Sequence, residues 1–140
     1  MTISNPQHQA ARHRAWRAGL TALLLAPLLA AAADTTPADQ AARFAALAGS
    51  PGQAQRGETF FTSRHGGEWS CASCHGHLPV VMGKHASTGK AIEPMAPAVS
   101  AKVFTDTARV DKWFRRNCND VLKRECTASE KADVLAYLLQ

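Results

Sequence analysis

The stretch Cys71-Ala72-Ser73-Cys74-His75 constrains this chain more than any other. Two thiols separated by two residues, with an imidazole directly after the second, match the pattern that adds across both vinyl groups of one haem, forming two thioethers, and brings a nitrogen to its iron. A zinc site would need two further Cys or His ligands at a repeated spacing, whereas Cys118 and Cys126 stand far apart and neither is followed by His. A redox dithiol of the thioredoxin kind would need an apolar strand before the pair and a helix pattern after it. Neither surrounds Cys71. One covalently bound haem c is therefore the expected cofactor, with His75 as its first protein ligand. The opposite face of the iron decides between an electron carrier and a gas-binding or redox-reactive haem.

Ahead of this motif the chain reads as a leader. Arg12, Arg14 and Arg17 precede an apolar run from Gly19 to Leu29, and Ala31-Ala32-Ala33 supplies a small-residue cleavage site. The run is shorter than the roughly 20 residues that span a bilayer and is interrupted by Pro27. We therefore expect residues 1–33 to be a cleaved secretory signal peptide and residues 34–140 to form one monohaem domain in the periplasm. Export also suits covalent haem attachment, which in bacteria takes place outside the cytoplasm. Of the 16 basic residues, the three leader arginines drop out, leaving 13 against 11 acidic. Net charge that small gives no reason to expect a nucleic-acid partner. A domain of roughly a hundred residues has a thin core, and both a haem and a disulfide would reinforce it.

The remaining chain carries helical signals and no run of alternating apolar residues, so an all-α fold without a sheet is expected. A first helix spans Pro37 to Leu47 and stops at Gly49-Ser50-Pro51-Gly52. A second surrounds Gly57, Phe60 and Phe61, where the glycine permits close approach of another helix. Residues 76–97 are rich in turn formers and read as a loop draped over the haem. His65 reads as a solvated loop residue. His77, Met82 and His85 lie too soon after His75 to reach around the ring, and the last two read as pocket wall or surface. Met95, between Pro94 and Pro97, is a serious candidate for the sixth ligand, since a thioether often fills that place in cytochromes c. Its alternative role is to fill an apolar gap.

Asp106 or Thr107 can cap a helix from Ala108 to about Val121. Val110, Trp113, Phe114, Asn117 and Val121 fall within an arc of about 100° on it. Asn117 is the one amide on that stripe and must find a partner or cost about 1–3 kcal/mol. Iron, a haem propionate and a backbone group all qualify. Cys118 and Cys126 are expected to pair outside the cytoplasm, with two free thiols as the alternative. Thr127 and Glu130 form a capping box that starts a final helix. Val134, Leu135, Leu138 and Leu139 should face inward on it, crossing the Gly57 helix.

With these residues in view, the chain resembles the sphaeroides haem protein family of class I-like, oxygen-binding monohaem cytochromes c. The likeness runs from about Arg56 onward. It rests on the haem motif, on Thr88 to Pro97, on Phe104 to Trp113, on Arg116-Asn117-Cys118-Asn119, and on Glu125 to Tyr137. It implies a class I cytochrome c-like fold. It further implies that Asn117 is the sixth ligand of the oxidised protein and leaves the iron on reduction, opening a site for oxygen, nitric oxide or carbon monoxide. The family's small disulfide matches Cys118 and Cys126. Met95 departs from the pattern, standing where a family member has Leu.

An amide oxygen is a weak, hard donor that suits ferric iron better than the softer ferrous state. Asn117 once displaced has an N–H to offer the incoming ligand, and Val110, Trp113 and Phe114 would keep bulk water away. The resemblance also implies a dihaem cytochrome c donor and a membrane cytochrome b as partners. Such a site either binds gas reversibly or reduces or oxidises it. The competing expectation is a simple carrier with His75 and Met95 both on the iron.

Overall fold

In a computed structural model, the structure describes residues 35–140. The leader assigned to residues 1–33 lies outside the described residues.

Thr36 and Asp39 form a capping box, each side chain taking the other's backbone N–H, and Pro37 begins helix α1, Pro37–Ala48. Gly49, at φ 70°, closes it in the left-handed conformation. Helix α2, Ala54–Thr62, follows the Pro51-Gly52 break. The haem motif forms a single turn, α3, Ala72–His75. Helix α4, Thr107–Leu122, is capped by Asp106, whose carboxylate accepts the N–H of Arg109 at 2.9 Å. Helix α5, Ala128–Leu138, starts from the Thr127–Glu130 box.

One expectation about regular structure needs correcting. Gly83–Lys84 and Ala91–Ile92 pair as a two-residue antiparallel ladder, β1 and β2, with Gly83 opposite Ile92. Two residues per strand are too few to show an alternating pattern, so sequence periodicity could not reveal it. The rest of 76–97 is turn and loop, as expected.

Helix α5 is the spine, with α1 and α2 packed on it. At the α2 crossing a Cβ on Gly57 would overlap the carbonyl of Asp133, so only glycine permits this approach. The same region is pinned by a buried carboxylate. Asp133 accepts the backbone N–H of Gln53 at 2.7 Å and two guanidinium bonds from Arg56 at 2.8 and 2.7 Å. Asp133 thus fixes both the start and the angle of α2. Gln40, also buried, ties α1 to the start of α4 by donating to Thr107 Oγ1 at 2.7 Å.

Two apolar clusters result. Phe44, Val110, Ala132 and Leu135 form one, and Phe61, Ala72, Val134 and Leu138 form the other. Phe104 and Phe114 pack against both. Leu139 does not turn inward as expected: it stands at the C-cap of α5, past the last helical residue Leu138, and is 39 % exposed, because the inward phase of the helix ends before it.

Candidate functional site

Val110 of the first cluster and Phe61 and Val134 of the second, with Phe104 and Phe114 between them, face one cavity of about 440 Å³, and α3, α4 and the loop before α4 complete it. Every member of the expected stripe on α4, Val110, Trp113, Phe114, Asn117 and Val121, lines this cavity, as do Cys71, Cys74, His75 and Met95. The structure therefore brings all the haem and ligand candidates to one place. They differ in depth. Val110 is buried, Phe114 and Asn117 are half-buried, and Trp113 is 46 % exposed at the edge, not buried as its place on the stripe suggested. Helical phase sets the direction of a side chain, but how much protein covers it depends on the neighbouring loop.

The thiols and the imidazole sit where their chemistry is controlled. Before a haem is attached, burial pushes the Cys71 thiol up to about 11, which keeps it protonated at neutral pH. The N–H of Ala86 approaches the sulfur of Cys74 at 3.3 Å, and β1 crosses so closely over α3 that a Cβ on Gly83 would overlap the Cys74 carbonyl. The hairpin thus clamps the motif from outside. Burial first, and the charge of His85 second, lower the pKa of His75, which favours the neutral ring that donates to a metal. His75 Nδ1 is the one buried side-chain polar atom among the described residues without a hydrogen-bond partner. Leaving such an atom unpaired costs about 1–3 kcal/mol, so the ring is held for a purpose that protein contacts do not serve. Phe61 supports the ring, with centroids 6.2 Å apart.

Asn117 sits on the same cavity with its amide unpaired: among the described residues no side-chain hydrogen bond involves it. Directly after it, Cys118 is bonded to Cys126, with Cα atoms 5.5 Å apart, joining the end of α4 to the turn before α5. Met95 packs against the Phe61 cluster, and its N–H donates to the Pro79 carbonyl at 3.0 Å. His85 is a pocket-wall residue and Met82 a surface one, as expected. His65 is exposed but held, its Nε2 lying 2.7 Å from the Phe60 carbonyl. Two supporting residues escaped the sequence reading. Phe104 bridges the clusters from a left-handed backbone, φ 56°, and Tyr137 donates its hydroxyl to the His77 carbonyl at 3.0 Å. Neither carries a signal at the level of periodicity.

An apolar cavity with a Cys-x-x-Cys-His turn in its wall fits a haem, and an all-α fold built around it defines a small c-type cytochrome. Comparison with known proteins narrows the class. A family described as a domain of unknown function (DUF1924) matches residues 47–138. The cytochrome c-type protein SHP of Cereibacter sphaeroides is 46 % identical over 123 residues, covering 85 % of this chain and 93 % of that protein. The structure of oxidised SHP, described as an oxygen-binding cytochrome c, superposes with a TM-score of 0.71 at 47 % identity, over 75 % of this chain and 96 % of the other. Oxidised cytochrome c″ from Methylophilus methylotrophus follows at a TM-score of 0.67 and 36 % identity, over 74 % and 93 %. The chain belongs to the sphaeroides haem protein (SHP) family of all-α cytochromes c. Its cofactor is one covalently attached haem c.

Proposed function

We propose that this protein is a periplasmic haem protein that takes up a small ligand, oxygen or nitric oxide among them, when reduced, with Asn117 as its displaceable ligand. In this reading residues 34–140 are the mature domain, and Cys71 and Cys74 would hold the haem while His75 would supply a nitrogen to its iron. When bound, the haem would supply the iron chemistry by which a reduced site takes up a diatomic gas. Asn117 carries the proposal. Its amide faces the cavity that contains His75 and is bonded to nothing else among the described residues. A weak, hard oxygen donor such as its amide would suit the oxidised iron and yield on reduction. The same side chain then has an N–H to donate to the incoming ligand. Val110 and Phe114 would keep water away beside it, and the Cys118–Cys126 bond stiffens the part of α4 that carries it. Electrons would come from a cytochrome donor, a dihaem cytochrome c linked to a membrane cytochrome b being the arrangement implied by the family resemblance.

Met95 lines the same cavity and favours a second reading, a His75/Met95 electron carrier. Visible spectroscopy separates the two. The dithionite-reduced protein should be high-spin and shift at once with carbon monoxide; a sharp low-spin spectrum indifferent to the gas would sink the Asn117 reading. Asn117→Ala should change the ferric spectrum while Met95→Ala leaves it unaltered. The carrier reading requires the reverse.

A further inference from the structure

One edge of α4 carries cations that the site described so far does not use. Arg109, Lys112, Trp113 and Arg116 occupy positions i, i+3, i+4 and i+7, which places them along a single strip of the helix surface. All four are exposed. The Trp113 ring lies beneath two of the cations, 6.0 Å from Lys112 Nζ and 5.5 Å from the Arg116 guanidinium carbon. Such stacking holds the two cations beside the exposed ring. The salt bridges among the described residues join Arg43 to Asp111, Arg56 to Asp133 and Arg124 to Glu130, so none of the strip's cations is neutralised by a carboxylate within bonding distance. Lys102 adds a further exposed cation from the loop before α4, and Asp120 ends the strip one turn beyond Arg116.

The strip is also the rim of the cavity. Lys102, Arg109, Trp113 and Arg116 line it, while Lys112 stands outside. A half-exposed aromatic ring between unpaired cations at a redox cavity combines the two features that transient electron-transfer contacts use: local charge to steer the encounter and an apolar centre to hold it. Overall charge does not explain the strip, since the domain after the leader is nearly balanced. Weak encounters of this kind need only a small area, which one helix edge can supply. The geometry points to α4, through Arg109, Lys112, Trp113 and Arg116, as the docking face for an electron-donor protein with an acidic surface. One electron leaves the donor's reduced centre, which is oxidised, and enters this protein's haem, which goes from ferric to ferrous. The inference rests on the haem-protein reading above but not on which residue is the sixth ligand.

Stopped-flow reduction of the haem-loaded protein by reduced flavodoxin, an acidic one-electron donor, tests it. The rate should fall about ten-fold between roughly 20 mM and 500 mM salt. The charge-reversed pair Lys112→Glu/Arg116→Glu should be about ten-fold slower at low salt and lose most of the salt dependence. Lys112 does not line the cavity, so Lys112→Glu alone, expected to be about three-fold slower, keeps the test valid should the pair perturb the haem. Lys84→Glu/Lys90→Glu, an equal charge change on the β1–β2 hairpin, should stay within about two-fold of the parent. Equal slowing by the hairpin pair, or unchanged rates in the Lys112 variants, would overturn the assignment. Carbon monoxide uptake read on the same samples stands or falls with Asn117 and leaves the docking result untouched.

Discussion

Asp133 shows how much one side chain can organise. It was not singled out by its pattern, because a carboxylate on an apolar helix face looks like an interruption. Its burial alone would raise its pKa, but the Arg56 guanidinium and the Gln53 N–H outweigh that, and its carboxyl ends below the ordinary aspartate range. A depressed folded-state value means the stabilisation is fully present above the unfolded value of about 3.9 and is lost as pH falls through the lower, folded one. Stability measured by urea unfolding should therefore decline below about pH 4, and Asp133→Asn should remove that part of the slope. At neutral pH the same variant should cost about 2 kcal/mol, since Arg56 and the Gln53 amide both lose a charged acceptor. Unchanged stability would mean the start of α2 is held by packing alone. Asn117 is the opposite case: its place on the α4 stripe was legible from periodicity, and the resemblance marked it as a ligand. That its amide has no competing hydrogen bond could be learned only from the folded surroundings.

Among the elements, the crossing of α2 on α5 was legible beforehand, because Gly57 beside two phenylalanines leaves a groove and α5 offers an apolar stripe to fill it. The structure adds what lies at the contact point, the Asp133 carbonyl. Gly57→Ala should push the helices apart and cost about 2–3 kcal/mol by denaturant unfolding; a neutral result would mean α2 can slide at little cost. The connection from α4 to α5 was equally legible, since two leftover cysteines outside the cytoplasm pair by default, and the disulfide joins them. Replacing both with Ser should cost about 2–3 kcal/mol in the chain-entropy description of so short a loop. The hairpin was not legible. Its two-residue strands exist because Gly83 fits against Cys74 and Gly89, at φ 69°, turns the chain back. Both are tertiary and turn requirements that leave no alternating trace.

At the scale of the whole molecule, the core is divided: two modest clusters bridged by Phe104 and Phe114 flank a cavity of about 440 Å³. A domain of this size with so little continuous core depends on what binds in it. Cys71→Ala/Cys74→Ala should purify without covalently attached haem and melt more than about 10 °C below the parent by circular dichroism. An unchanged melting curve would show that the two clusters suffice alone. Local chemistry needs only neighbours in the chain, so the sequence by itself determined the haem motif, the capping signals, the helical phases and the all-α class. Resemblance over most of the chain then pointed to the family. Only tertiary structure decided how deep each side chain sits: it left Trp113 half-exposed on a basic strip, left Leu139 in solvent, set Asp133 on Arg56 and isolated His75 Nδ1. Depth and pairing depend on groups far apart in the chain, and no local pattern records which of them meet.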